Sequence, residues 1–210
     1  MNLKELSQTL GLSQTTVSRA LNGYPEVSES TRNKVKAAAL MHNYSPNVRA
    51  MGLATGRANA IGHVISAANN NEMVNPIFGD FIAGAGEIYS TQNYEMVLSV
   101  VDGINEEQVY RAFKTRGTVD GVILHSPKMN DTRIALLQEI GLPFVVHGRA
   151  SGIASDYSWL DVNNTRAFRR ATEFLIDFGH QRIALINGLE TMDFAYRRRS
   201  GYEAGLNAKG

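Results

Sequence analysis

Two hydrophobic rhythms divide the chain. In the opening stretch, LKELSQTLGLSQTTVSRALN, Leu3, Leu6 and Leu10 recur at i, i+3 and i+7 and so line one face of a helix. Gly11 breaks that helix. Ser13 is placed to cap a second one by accepting from the orphan amides of its first turn, and Val17, Ala20 and Leu21 give it an apolar side to lay against the leucines. Ser28 can cap a third helix over residues 29–42, with Val35, Ala38, Ala39 and His42 on one stripe. Three short helices then close a small core over residues 1–45.

From Ile61 short apolar runs alternate with helical stretches. IGHVISA (61–67), YEMVLSVV (94–101), DGVILHS (120–126), PFVVHG (143–148), YSWLDV (157–162) and RIALING (182–188) read as strands. Helices are expected near 77–92, 105–116, 130–140 and 163–178, with another beginning near 195. This alternation argues a parallel sheet covered by helices on both faces. Ligands of such sheets bind beyond the carboxyl ends of the strands, which points to Ser66 and the loop 68–78, His125 and Ser126, Gly148 and Arg149, and residues 187–198.

Charge sharpens the division. Residues 1–60 hold seven Lys or Arg against three acids, a balance of +4, whereas the remainder holds fourteen basic and seventeen acidic residues, a balance of −3. Positive charge is thus concentrated on the helical part, as neutralisation of phosphates would require, although a solvated basic face would show the same bias. The chain has no Cys, which excludes disulfides and thiolate metal sites and suits a reducing compartment. No apolar run suggests a signal peptide or a membrane span, so a cytoplasmic protein is expected.

The polar side of the second helix carries Gln14, Thr15, Ser18, Arg19 and Asn22, types that bond base edges or phosphates; Gln suits adenine and Arg suits guanine in a major groove. Two helices joined by a Gly turn, the second facing outward, form a helix-turn-helix arrangement. The alternative is an ordinary amphipathic hairpin with a polar surface. Residues 44–57, YSPNVRAMGLATGR, are too short and too glycine-rich for a stable isolated helix, Gly52 alone costing roughly 1 kcal/mol relative to Ala. Composition alone fits a flexible linker there. Searches for GxxxxGK[ST], HExxH and GxSxG find nothing, and no nucleophile–base or metal constellation is visible, so no enzyme, cofactor or metal is expected.

TTVSRALNG, VSESTRNKVKAAA and NYSPN, in register, resemble the DNA-binding headpiece of the LacI/GalR family of bacterial transcriptional regulators. NPIF (75–78), VDGVIL (119–124) and FGHQRIALI (178–186) extend the resemblance to that family's effector domain, which is related to periplasmic sugar-binding proteins. The resemblance implies a helix-turn-helix headpiece at 1–45, a hinge at 46–60 that becomes helical on DNA and inserts Leu53 into the minor groove, a first effector subdomain at 61–162, and the start of a second, incomplete one at 163–210. Met51 and Gly52 depart from the usual hinge pattern, and His42 stands where a leucine is usual. Gln14, Thr15 and Arg19 are then expected to read bases, while Ser13, Thr16, Ser18, Asn22, Ser28, Thr31, Tyr44 and Asn47 position the protein on the backbone.

For the effector the resemblance implies Arg198 as a ligand-holding arginine, Phe78 as a pocket wall and His125 as a polar contact, beside Ser66 and Arg149 at strand ends. Each has a plainer alternative: Phe78 a core residue at a helix start, residues 197–199 a solvated basic face, His125 satisfied by backbone. The expected function is a ligand-responsive regulator, a repressor binding pseudo-palindromic double-stranded operator DNA as a homodimer or a tetramer built from it, controlled by a sugar or glycoside. A nucleobase-responsive regulator, a sugar-binding protein without DNA activity, and an α/β enzyme with a fused DNA-binding arm are the alternatives.

Overall fold

The computed structural model describes residues 1–45, 52, 56–66, 76–102 and 105–209, and the chain divides into two compact units, Met1–Ala58 and Asn59–Gly210. The first holds α1 (Leu3–Leu10), α2 (Gln14–Leu21) and α3 (Glu29–Met41). Local chemistry sets their ends. The Asn2 side chain accepts from the Glu5 amide while the Glu5 carboxylate accepts from the Asn2 amide, so two orphan donors are satisfied at once. Gly11, at φ 67°, turns the chain out of α1. Ser13 and Ser28 accept from the amides of Thr16 and Thr31 at 3.1 and 3.3 Å.

The three helices close over Leu6, Val17, Ala20 and Val35, all fully buried, with Ala39 behind them and Val27 supplied by the α2–α3 connection. Each of the larger side chains contributes about 1.5–3 kcal/mol by leaving water. Leu3, Leu10, Leu12, Leu21, Ala38 and Tyr44 pack around that centre. His42 lies at the boundary, half-buried, as the residue that caps α3.

The second unit is built on a five-stranded parallel sheet in the order β2-β1-β3-β4-β5. Its strands are β1 (Ala60–Ser66), β2 (Glu95–Val101), β3 (Gly121–His125), β4 (Phe144–His147) and β5 (Trp159–Leu160). The helices between and after them are α4 (Pro76–Thr91), α5 (Glu106–Arg116), α6 (Thr132–Glu139), α7 (Asn164–Asp177) and α8 (Asp193–Lys209). Val64 and Ile65 of β1 and Val122 and Leu124 of β3 are buried on both sides of the pleat, as central parallel strands must be. RIALING at 182–188, expected as a sixth strand, is not one: it pairs with no strand among the described residues, and Ile186 is 97 % exposed. A strand exists through a neighbour's ladder, which an apolar run cannot supply by itself. The Tyr202 hydroxyl donates to the Ile183 carbonyl at 2.7 Å and holds that segment against α8.

Helices α7 and α8 approach backbone to backbone. A Cβ on Gly201 would stand 2.2 Å from the Thr165 carbonyl oxygen, and one on Gly205 2.7 Å from Thr172 Cβ, so only glycine fits at either place. No helix among the described residues is long and apolar enough to cross a membrane.

Candidate functional site

On the first unit, the residues expected to meet DNA form a solvated face of α2 and its flanks. Gln14, Thr15, Arg19 and Asn22 are exposed, with Thr16 and Ser18 half-exposed beside them. The Ser13 and Thr16 hydroxyls lie 2.8 Å apart at the cap, as do those of Ser28 and Thr31. The Asn22 amide donates to the Ser18 carbonyl at 2.9 Å, and Arg19 stands 3.6 Å from Glu26 with both partners about half exposed. An ion pair in that setting is worth only about 0–1 kcal/mol, so Arg19 exchanges it readily for another acceptor. Tyr44 is half-buried against the core, and burial raises its phenol above the ordinary value. Asn47 and Leu53 lie outside the described residues. The Gly56 amide donates to the Gly52 carbonyl at 2.8 Å, one α-type bond.

In the second unit the strand order reverses between β1 and β3, and a crevice at such a switch point, beyond the carboxyl ends, is where open α/β sheets bind ligands. A row of polar rings leads there. His63 on β1 is fully buried; its Nε2 is 3.1 Å from the Tyr89 hydroxyl of α4 and its Nδ1 2.9 Å from His125 Nε2 at the end of β3. His125 Nδ1 is in turn 3.2 Å from Nδ1 of His147, its registered neighbour on β4. Phe78 and Phe81 of α4 wall the row: both meet the His125 ring edge-on at 5.2 Å, and Phe81 stacks on His147 at 4.3 Å. Burial first, then the charge His147 would carry, pushes His63 down to about 4. Burial, then the other two imidazoles and Arg133, pushes His125 to about 3. His147 is also lowered by burial, against the opposing pull of the Asp161 carboxylate. The row is therefore uncharged at neutral pH. Its ring nitrogens face one another in sequence instead of converging, and no group of three or more His, Asp or Glu among the described residues is set to hold a metal ion.

The strand end that carries His125 is held from beneath. Ser126 sits at φ 48°, a region that costs a non-glycine residue about 1–3 kcal/mol. Arg133 stabilises it: its Nη2 donates to the carbonyls of His125 and Ser126 at 3.1 and 3.2 Å. The same guanidinium is paired with Asp131 and Glu106 at 2.7 and 2.8 Å. Burial raises the Asp131 carboxyl, but Arg133 and two backbone amides outweigh it and leave the group below its ordinary range.

The structure brings Phe78 and His125 into contact but distributes the other expected ligand residues. Ser66 ends β1, and Arg149 covers the Trp159 ring at 4.5 Å. Arg198 lies between the rings of Phe168 and Phe194, at 5.2 and 4.7 Å, and its Nε donates to Asn164 Oδ1 at 3.0 Å. Asn164, itself buried, donates to Asp161 at 3.3 Å, so a polar path runs from Arg198 to the carboxylate that acts on His147. The three arginines divide their work. Arg197 pairs with the fully buried Asp193 and donates to the Ser151 hydroxyl at 2.8 Å, and Arg199 pairs with Glu190. Of the residues gathered around these strand ends, sequence reasoning names His125 and Phe78 and does not name His63, His147, Tyr89, Asp161, Asn164 and Arg133. The available signal was the repeated His at the ends of VILH and VVH.

Residues 2–47 match the family of bacterial regulatory proteins of lacI type, and residues 58–210 match the family of periplasmic binding proteins and sugar binding domains of the LacI family. The chain belongs to the LacI family. It is 46 % identical over 211 residues to the HTH-type transcriptional regulator AglR of Rhizobium meliloti, covering all of this chain and 59 % of that protein. It is 33 % identical to CelR of Thermobifida fusca, over 99 % of this chain and 62 % of the relative. Among solved structures, a CelR–cellobiose complex aligns with TM-score 0.66 at 32 % identity, covering 99 % of this chain and 62 % of that one. The Lac repressor dimer bound to operator and the anti-inducer ONPF aligns with TM-score 0.81 at 24 % identity, over 99 % of this chain and 62 % of that one, and shows that the fold is shared. The chain thus spans about three-fifths of the length of these LacI-family relatives, 59 to 62 %. The LacI-family relatives named here are transcriptional regulators, not enzymes.

Proposed function

We propose that the chain supplies the DNA-reading headpiece and much of the effector pocket of a saccharide-responsive repressor. The observation that carries this is the solvated face of α2, with Gln14, Thr15 and Arg19 projecting from a capped three-helix unit, joined in one chain to a parallel sheet whose strand ends hold a cluster of aromatic and imidazole rings. In this reading residues 1–45 form the headpiece, 46–60 the hinge, 61–162 the first effector subdomain and 163–210 part of the second. Gln14, Thr15 and Arg19 read base edges; Ser13, Thr16, Ser18, Asn22, Ser28, Thr31, Tyr44 and Asn47 hold the backbone; Leu53 is the minor-groove wedge. Ser66, Phe78, His125, Arg149 and Arg198 meet the effector. A neutral saccharide is supported by the uncharged row and by a relative solved with cellobiose. A twofold dimer on a pseudo-palindromic operator is supported by the exposed Leu98 and Val100 of edge strand β2 and Ile88 of α4, and by a Lac repressor dimer of the same fold.

The effector acts only through unequal affinity for the DNA-bound and free forms, so a saccharide that loosens DNA binding must itself bind less well to the complex. The test is an operator selected from random duplex by the full native protein, followed by mobility shift with and without neutral disaccharides. Binding to a two-half-site sequence, changed by at least one saccharide, is expected. Failure to select any such sequence would remove the headpiece assignment. An operator complex indifferent to every saccharide, with no thermal shift of the free protein, would remove the effector assignment.

A further inference from the structure

We infer that Tyr89, His63, His125 and His147 form one polarised hydrogen-bond row whose outer end, His147 Nε2, presents an N–H to an acceptor oxygen of the effector. His147 is then a specificity-determining contact, and His63 and Tyr89 are positioning residues that act through it. The inference rests on the reading of the strand-end crevice as the effector pocket and deepens it by stating the ligand's chemistry: a neutral polyhydroxylated molecule with a hydroxyl, ring or glycosidic oxygen opposite His147.

A neutral imidazole carries one N–H and one lone pair, so each nitrogen–nitrogen link in the row holds a single proton. Fixing the direction of one link fixes all of them, and only two orders exist. In the outward order the Tyr89 hydroxyl donates to His63 Nε2, His63 Nδ1–H to His125 Nε2, and His125 Nδ1–H to His147 Nδ1, which leaves the proton of His147 on Nε2. In the inward order every bond reverses, His147 Nε2 is a bare lone pair, and the Tyr89 proton needs another acceptor.

One observation selects the outward order. The Tyr89 hydroxyl has no other hydrogen-bond partner among the described residues, and a phenol donates to an imidazole nitrogen better than it accepts from one. His147 is half-buried, and its Nε2 has no partner among the described residues. Phe81, stacked on the His147 ring at an interplanar angle of 14°, and Phe78, edge-on to His125, hold the ring planes and hence the direction of that N–H. Buried hydrogen bonds polarise one another along such a row, so the strength of the outer donor depends on its inner members.

The test uses the full native protein labelled with ¹⁵N-histidine. The 210 residues hold five histidines, and His42→Gln and His180→Gln remove the signals of the two of these that lie outside the row, while single His63→Gln, His125→Gln and His147→Gln variants assign the other three. Long-range ¹⁵N–¹H correlation at pH 7 is expected to show neutral rings with the proton on Nδ1 in His63 and His125 and on Nε2 in His147. The opposite pattern, or a cationic ring in the row, overturns the inference. Calorimetry with cellobiose and other neutral disaccharides reads the contact. His147→Phe is expected to weaken binding tenfold or more, whereas His147→Gln, whose amide can donate from near the Nε2 position, stays within several-fold of wild type. Tyr89→Phe, remote from the ligand, is expected to weaken binding several-fold while mixing the tautomers of His63. Equal binding by His147→Phe and wild type overturns the contact. If wild-type protein binds no saccharide while the tautomers keep the outward order, the pocket reading fails and the contact with it, but the row stands.

Discussion

The two units keep their discriminating polar groups in opposite media. On α2, Gln14, Thr15 and Arg19 stand in water, and the nearest partner of Arg19 is an exposed glutamate 3.6 Å away. In the sheet unit His63 and His125 are buried, and their ring nitrogens are matched to Tyr89 and to each other before any ligand arrives. A solvated group costs little to leave unpaired and can try many partners, which on the proposed reading suits a surface that samples non-specific duplex before it finds its site. A buried group left unpaired costs about 1–3 kcal/mol, so the pocket is committed to one arrangement of donors and acceptors. Discrimination is earned at the moment of contact in one unit and prepaid in the other.

The largest expected effect tests the prepaid side. Arg133→Ala leaves Asp131 and Glu106 without their buried cation, and a loss of about 3–5 kcal/mol is expected in denaturant unfolding of the sheet unit. A loss under about 1 kcal/mol would show that the strand end carrying His125 holds itself. Leu6→Ala follows, at about 2–5 kcal/mol, enough to unfold so small a core. Hydrogen exchange should then show α1–α3 unprotected with the sheet amides unchanged; parallel loss in the sheet would mean that the units do not fold separately.

Acid should separate the units next. The His63 imidazole takes a proton near 6.5 when unfolded but only near 4 when folded, so its stability is fully present above pH 6.5 and is lost as pH falls from 6.5 towards 4. The loss is on the order of 3 kcal/mol for this ring. Melting followed by the near-ultraviolet signal of the sheet unit should fall across that window, and His63→Phe should lessen the fall without abolishing it, because His125 is lowered as well. Smallest of all, Arg19→Ala should cost about 1–3 kcal/mol of operator discrimination with no change in melting temperature. Loss of stability in place of discrimination would assign Arg19 to the fold.

The headpiece is legible in sequence because its determinants are local. Ser13 to Thr16, Ser28 to Thr31 and Asn2 to Glu5 are each three residues apart, and the leucine spacing needs no knowledge of the rest of the chain. The histidine row is not legible because its links join residues 26, 62 and 22 apart, and only sheet register brings them together. His125 is reached by the strand-end rule, which His63, two residues short of the level of His125 on the neighbouring strand, escapes. RIALING has the composition of a strand, and it fails for want of a neighbour, a property of the fold and not of its seven residues. Arg198 is singled out by resemblance, whereas Asn164, the acceptor of its Nε–H, looks in sequence like an ordinary helix start.

The glycine seam between α7 and α8 has a mechanical result. With Gly201 against the Thr165 carbonyl and Gly205 against Thr172, the helices mesh too closely to slide or roll on one another. Asn164 at the root of one and Arg198 on the other, joined by a hydrogen bond of 3.0 Å, are therefore held in a fixed relation.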